Sequence, residues 1–231
     1  MLYTGCVTDF APRLEELRRD IVAQGKRVFD IVLKAVEAYF DLDKSKALLV
    51  IKSDDEIDRV DVEIERASIP LLALGVTDEY SIRSVLTIVK INNELERIAD
   101  AAVSIAEIVK DYPDLKEVPS DTFRVMANSV IGMLRDANRA VKDSNTALAQ
   151  QVLLFDDTVA RFKEEISLNS QEQVAAGKLS VQFAFRLTAV TKAMERISDY
   201  CTNICEQVIY LQSGKIVRHR PEGWTNPSEP S

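Results

Sequence analysis

The stretch "LERIADAAVSIAEIVKDY" from Leu95 and the stretch "MERISDYCTNICEQVIYL" from Met194 are two copies of one pattern. A constant shift of 99 residues carries Glu96, Arg97, Ile98 and Asp100 onto Glu195, Arg196, Ile197 and Asp199, and Ile105, Glu107 and Val109 onto Ile204, Glu206 and Val208. Agreement at charged as well as apolar positions marks an internal duplication, which constrains the architecture before any local reading is made. Within each copy the apolar residues recur at a 3-4 spacing, the seam of coiled-coil-like packing. In the first copy these are Ile88, Ile91, Leu95, Ile98, Ala102, Ile105 and Val109; in the second, Leu187, Val190, Met194, Ile197, Cys201, Ile204 and Val208. Cys201 thus holds the seam position of Ala102, where a small buried thiol serves as core.

Around this repeat the chain reads as helix throughout, with no alternation of apolar and polar residues that would indicate strands. Helices are expected over about 9–40, 43–73, 77–110, 120–142, 144–175 and 178–212, with Asp9, Asp43, Thr77 or Asp78, and Ser120 as N-caps. Helices of some thirty residues joined by short turns favour antiparallel bundles. The expectation is an all-α fold of two tandem three-helix bundles, over 1–114 and 115–214, separated near "DYPDLKEVPS". Residues 215–231 are expected to form a basic, then disordered, tail.

Composition narrows the functions. A net charge of −8 argues against a nucleic-acid binder or a partner of anionic lipid. No uncharged run is long enough to span a bilayer, and "MLYTGCVTDF" lacks the features of a secretory signal. The three cysteines, Cys6, Cys201 and Cys205, have no framework spacing, which suits a reducing cytoplasm. The single histidine, His219, lies in the tail, so a Ser-His-Asp or Cys-His catalytic group is not expected, nor a His-rich zinc site. Di-iron bundles need E-x-x-H pairs, and the chain has none.

Carboxylates are what remains. Glu96 and Asp100 are neighbours on one helical face with Asn92 and Ser104; the second copy presents Thr191, Glu195, Asp199 and Asn203. This stripe lies about 150° around the helix from the seam, facing away from that core. In the preceding helix, "SDDEIDRVDVEIE" places Asp54, Asp58, Asp61 and Glu65 on one face. Two readings stand. The stripes are solvated faces, with Arg97–Asp100 and Arg196–Asp199 as i, i+3 pairs. Alternatively, paired acidic ladders, which repel at i, i+4, share a hard or borderline cation, since oxygen-only ligands suit Mg²⁺, Mn²⁺, Ca²⁺ or iron. In the second repeat Asp156 matches Asp54, but Ala160, Lys163 and Ser167 replace Asp58, Asp61 and Glu65, so a second site is expected to be weaker or absent.

The doubled E-R-I-x-D helices, the D-x-E-I-D acidic helix and the ending "NICEQVIYLQSGKIVRH" resemble the PhoU family over nearly the whole chain. The resemblance implies two three-helix bundles binding divalent or iron cations through carboxylate pairs: Asp54, Asp58, Glu96 and Asp100, then Asp156, Glu195 and Asp199. Arg83 matches the arginine of the family's D-L-R segment. Ala99 and Ser198 stand where the family has the glycine of E-R-I-G-D, and the Q-P that often precedes D-L-R is missing. Neither change removes a ligand, whereas Ala160 does. The resemblance further implies a non-enzymatic cytoplasmic homodimer, a negative regulator of the phosphate response and of uptake. Its partners would be the ATPase subunit of a phosphate ABC transporter and the phosphate sensor histidine kinase. An accessory subunit of another phosphate permease and a carboxylate-metal phosphohydrolase are the alternatives.

Overall fold

A computed structural model describes residues 10–74, 78–111 and 117–217, and among these it contains six helices and no strand. They are α1 (Phe10–Asp41), α2 (Lys44–Ala73), α3 (Glu79–Asp111), α4 (Asp121–Asp143), α5 (Thr146–Ala175) and α6 (Val181–Ser213). The first three pack on one another, as do the last three, and the two bundles meet where α3 packs on α6 and α1 on α4.

Local chemistry sets the boundaries. Asp43 caps α2 by accepting from the backbone N–H groups of Ser45 and Lys46 (2.9 and 3.0 Å), and Ser120 caps α4 through the N–H of Phe123. Asp78 accepts from the N–H of Ser81 at the start of α3. Two expected starts are displaced. Ser144 takes a left-handed conformation that ends α4, and Asn145 caps α5 instead. Gly177 is likewise left-handed, so α6 begins after its cap at Ser180 rather than at Lys178. The expected caps Asp9 and Thr77, and His219, lie outside the described residues, as does the tail beyond Val217, itself buried.

The duplication extends beyond the stretches that reveal it. A shift of 102 carries the buried face of α1 onto that of α4: Ile21, Gln24, Gly25, Val28, Ile31, Val32, Ala35 and Ala38 fall on Phe123, Met126, Ala127, Val130, Met133, Leu134, Ala137 and Ala140. The same shift carries Ala47, Val50, Ile57, Ile64 and Ser68 of α2 onto Ala149, Val152, Val159, Ile166 and Ser170 of α5. Both serines donate to the carbonyl one turn back, in Ile64 and Ile166. All seven seam residues of α3 and all seven of α6 are buried at the shift of 99. The α2–α3 and α5–α6 connections are each five residues long, so the three-residue difference lies in the first turn of α3, whose residues 79–81 correspond to 178–180 ahead of α6.

α3 and α6 run antiparallel across the junction. Asn203 Nδ2 donates to Glu94 Oε2 (3.0 Å), Lys90 Nζ lies 5.5 Å from the centre of the Tyr210 ring, and the Arg97 guanidinium lies 5.9 Å from that of Tyr200. The α1–α4 contact depends on a glycine. Asn138 Nδ2 donates to the Gly25 carbonyl (2.8 Å), and a Cβ at Gly25 would fall 2.6 Å from Asn138 Oδ1. Alanine is ordinarily better than glycine inside a helix by up to about 1 kcal/mol. Gly25→Ala is therefore expected to stabilise the chain by about 0.5–1 kcal/mol in an Asn138→Ala background, and to lose that gain, or destabilise, when Asn138 is present. Chemical denaturation of the four chains in this double-mutant cycle measures the coupling.

Candidate functional site

The acidic stripes lie only partly in open water. Asn92, the first member of the α3 stripe, is 1 % exposed, and its Nδ2 donates to the Asp61 carbonyl (3.0 Å) and to Asp61 Oδ1 (2.6 Å) on α2. Thr191, its counterpart on α6, is also buried. The stripe faces away from the seam, as expected, but α3 is covered by α1, α2 and α6, so it borders a crevice between α2 and α3. Asp58 and Asp100 are exposed at its mouth, while Asp54 and Glu96 are half-buried within it.

Negative charge accumulates there. Burial, then the charges of Asp58, Asp100 and Asp55, pushes Asp54 up to about 6 from its ordinary value. Asp54 Oδ1 is buried with no hydrogen-bond partner. Glu96 is raised by burial and by Asp100, Asp61 and Asp58. Asp61 is raised by burial and by Glu65 and Asp58, against the opposing hydrogen bond from Asn92. The four expected first-repeat ligands, Asp54, Asp58, Glu96 and Asp100, thus act on one another across two helices. Asp61 belongs with them, as its place on the α2 ladder already indicated.

Neither Arg97 nor Arg196 forms an ion pair with these acids, although the Arg97 charge partly offsets the rise at Glu96. Arg97 pairs with Glu94 (3.7 Å) and points to Tyr200, and Arg196 Nη2 donates to the Tyr200 hydroxyl (3.2 Å). The expected Arg97–Asp100 and Arg196–Asp199 pairs do not form; both arginines turn toward the ring at the α3–α6 junction instead. Arg83 lies 13 residues along α3 from Glu96, about 20 Å away. Its Nη1 donates to Glu79 Oε1 (2.9 Å), and the guanidinium covers Tyr210 and the left-handed Gly214, where a Cβ would fall 2.5 Å from Nη1. It secures the end of α6 and is remote from the acidic crevice.

The second repeat has the same scaffold with a different charge balance. Lys163, at the position of Asp61, donates to Glu195 Oε1 (2.7 Å). Ser198, in place of Ala99, donates its hydroxyl to Asp156 Oδ1 (3.0 Å), supplying the partner that Asp54 lacks. Asp156 is raised by burial and eased by that bond, and Asp199 is pushed up to about 6 by burial, Asp156 and Glu195. Asp156, Glu195 and Asp199 are together, as their spacing implied, but one is ion-paired and one hydrogen-bonded. Among the described residues, no three of His, Cys, Asp and Glu converge closely enough to ligate an ion in the side-chain positions seen.

A carboxyl whose folded value is raised binds its proton more readily in the folded chain. Asp54 and Asp199 therefore withdraw stability as the pH rises from about 4 through about 6, and the deficit persists above that. In chelator-treated protein, Asp54→Asn with Asp199→Asn is expected to be no more stable than the parent near pH 4 and more stable at pH 7. Discounted for partial exposure, the gain is about 1 kcal/mol per site. Melting curves across this range check it; a gain independent of pH would contradict it.

The fold has known relatives. The PhoU domain family matches the chain twice, over residues 21–109 and 123–208. The chain is 34% identical over 218 residues to the Clostridium acetobutylicum "Phosphate-specific transport system accessory protein PhoU homolog", covering 90% of this chain and 96% of the relative. It is 28% identical over 222 residues to the Thermotoga maritima "PhoU homolog 1", covering 95% and 96%. Its fold is similar to the crystal structure of PhoU from Pseudomonas aeruginosa, with a TM-score of 0.85 and 27% identity, covering 89% of this chain and all of that one. The regulatory protein PhoU from Streptococcus pneumoniae superposes with a TM-score of 0.84 at 25% identity, covering 91% and 100%.

Proposed function

The chain belongs to the PhoU family, and we propose that it is a non-catalytic negative regulator of phosphate uptake and of the phosphate response. It works in the cytoplasm as a homodimer between the ATPase subunit of a phosphate ABC transporter and the phosphate sensor histidine kinase. The observation that carries the reading is the doubled scaffold with its acidic crevice, in a chain whose relatives are named accessory proteins of phosphate-specific transport. Two rigid bundles joined along α3 and α6 present long helical surfaces of the kind an adaptor needs. Among the described residues no helix is long and apolar enough to cross a membrane.

The crevice of the first bundle fits a hard or borderline cation such as Mn²⁺ or Fe²⁺. Its donors are all oxygens, and the buried Asp54 Oδ1 has no partner. Asp54, Asp58, Glu96 and Asp100 would hold the ion, which supplies the positive charge that the facing ladders lack. Asp58 and Asp100, exposed at the mouth, would complete its donor set. Asp156, Glu195 and Asp199 form the weaker counterpart, because Ala160 contributes no ligand and Lys163 already occupies Glu195.

Two measurements test this. Titration of chelator-treated protein with Mn²⁺ is expected to show one tighter site, lost in Asp58→Ala with Asp100→Ala and little changed in Asp199→Ala, since oxygen-site affinity follows ligand charge. Equal loss from both lesions, or no saturable binding, would return the acids to the role of solvated faces. Deleting the gene in its host is expected to leave a phosphate-starvation reporter active in phosphate-rich medium. A reporter that stays off would overturn the regulatory role.

A further inference from the structure

The junction between the bundles is duplicated as well, and its two ends differ. At one end it is plugged. Phe123 packs on Tyr39 and Phe40, with ring centres 5.5 and 5.7 Å apart, and the Arg124 guanidinium lies 4.3 Å from the centre of the Phe40 ring. Arg186, buried, lies close enough to act electrostatically on the Tyr39 hydroxyl. The shifts of 102 and 99 carry these positions onto the other end of the junction. There Phe123 becomes Ile21, Arg124 becomes Val22, Tyr39 becomes Val141, Phe40 becomes Lys142 and Arg186 becomes Thr87. All five smaller or slimmer residues line a cavity of about 690 Å³ bounded by α1, α3, α4 and α6. The opening is what remains when the plug of one repeat is not rebuilt in the other.

Its chemistry is amphipathic. Val22, Phe29, Ile91 and Leu211 supply an apolar floor. Arg18, Arg19, Lys26, Arg135, Arg139 and Lys142 line it against a single carboxylate, Glu15, in a chain whose net charge is −8. Arg135 and Arg139 share Asp136, and Arg18 reaches Glu15, whereas Lys26 and Lys142 form no ion pair among the described residues. Thr87, 1 % exposed, lines the cavity with a hydroxyl that has no hydrogen-bond partner.

We propose that this cavity is a binding site for a small amphipathic anion, an apolar body carrying a phosphate, sulfonate or carboxylate head. The volume lies within the range of small-molecule sites, whose walls are mostly apolar with a few polar groups that orient the ligand. The apolar body lies on the floor between α1 and α3, the head is held by Lys26 and Lys142, and the Thr87 hydroxyl gains a partner. Because the walls come from both bundles, an occupant would fix their relative position.

Fluorescence titration of the full chain with 8-anilino-1-naphthalenesulfonate, and with its uncharged analogue N-phenyl-1-naphthylamine, tests this. About one molecule of the sulfonate per chain is expected to bind saturably. Ile21→Phe with Val141→Tyr, which copies the plugged end, is expected to weaken both probes at least about tenfold while melting remains cooperative. Lys26→Ala with Lys142→Ala, both changes on the cavity rim, is expected to weaken the sulfonate about tenfold and to leave the uncharged probe within about twofold. Dodecyl phosphate is expected to displace the sulfonate. The proposal is overturned by absent or non-saturable binding, by a cooperatively folded plug variant that binds as the parent does, or by equal losses of both probes in the lysine variant. Displacement by an acidic amphipathic helical peptide but not by dodecyl phosphate would instead assign the cavity to a protein partner.

Discussion

α3 and α6 are each packed against three other helices, and this crowding governs the rest of the molecule. A helix covered on three sides needs small residues where the backbones approach. α3 supplies Ala99, Ala101, Ala102 and Ala106 there, and α6 supplies Ser198, Cys201 and Cys205, all buried. Burial pushes both cysteine thiols up, chiefly by desolvation, so they stay neutral and act as core atoms. The same crowding leaves the acidic stripe nowhere to go but the crevice beside α2 or α5. A solvated carboxylate ladder would titrate normally; partial burial beside like charges is what pushes Asp54 and Asp199 up to about 6.

Divergence between the repeats then acts on an unchanged frame. Most buried positions of α1 and α4, α2 and α5, and α3 and α6 correspond, so a few substitutions change charge or hydrogen bonding on a shared frame. Asp61 to Lys163 turns a repulsive neighbour of Glu96 into an ion-pair partner of Glu195, and Ala99 to Ser198 gives Asp156 a donor. Phe123 to Ile21 and Tyr39 to Val141, in the reverse direction, open the junction. Duplication followed by such substitutions yields two unlike sites from one unit.

Much of this was legible in the sequence because it rests on periodicity. The seam of Ile98 and Ile197, the caps at Asp43 and Ser120 and the pairing of acidic ladders all follow from local spacing. What spacing could not supply was the number of neighbours. The 150° offset from the seam is correct as an angle, yet it suggests solvent where a third helix stands, and only tertiary packing reveals Asn92 bonded to Asp61. The arginine pairs failed because Tyr200 competes with the carboxylates: it reaches Arg97 from another helix and Arg196 from one turn along its own. Gly25 carried a signal in being a glycine inside a long amphipathic run, but its partner Asn138 lies 113 residues away.

The central claim is that the two crevices share one scaffold and differ in cation binding because of a few charged positions. Rebuilding the second crevice in the image of the first tests it most directly. Ala160→Asp with Lys163→Asp restores the acidic residues of α2 on α5, and the protein is titrated with Mn²⁺ after chelator treatment. The account predicts a second site with an affinity within about tenfold of the first. A cooperatively folded variant with no added site, and a first site unchanged, would contradict it.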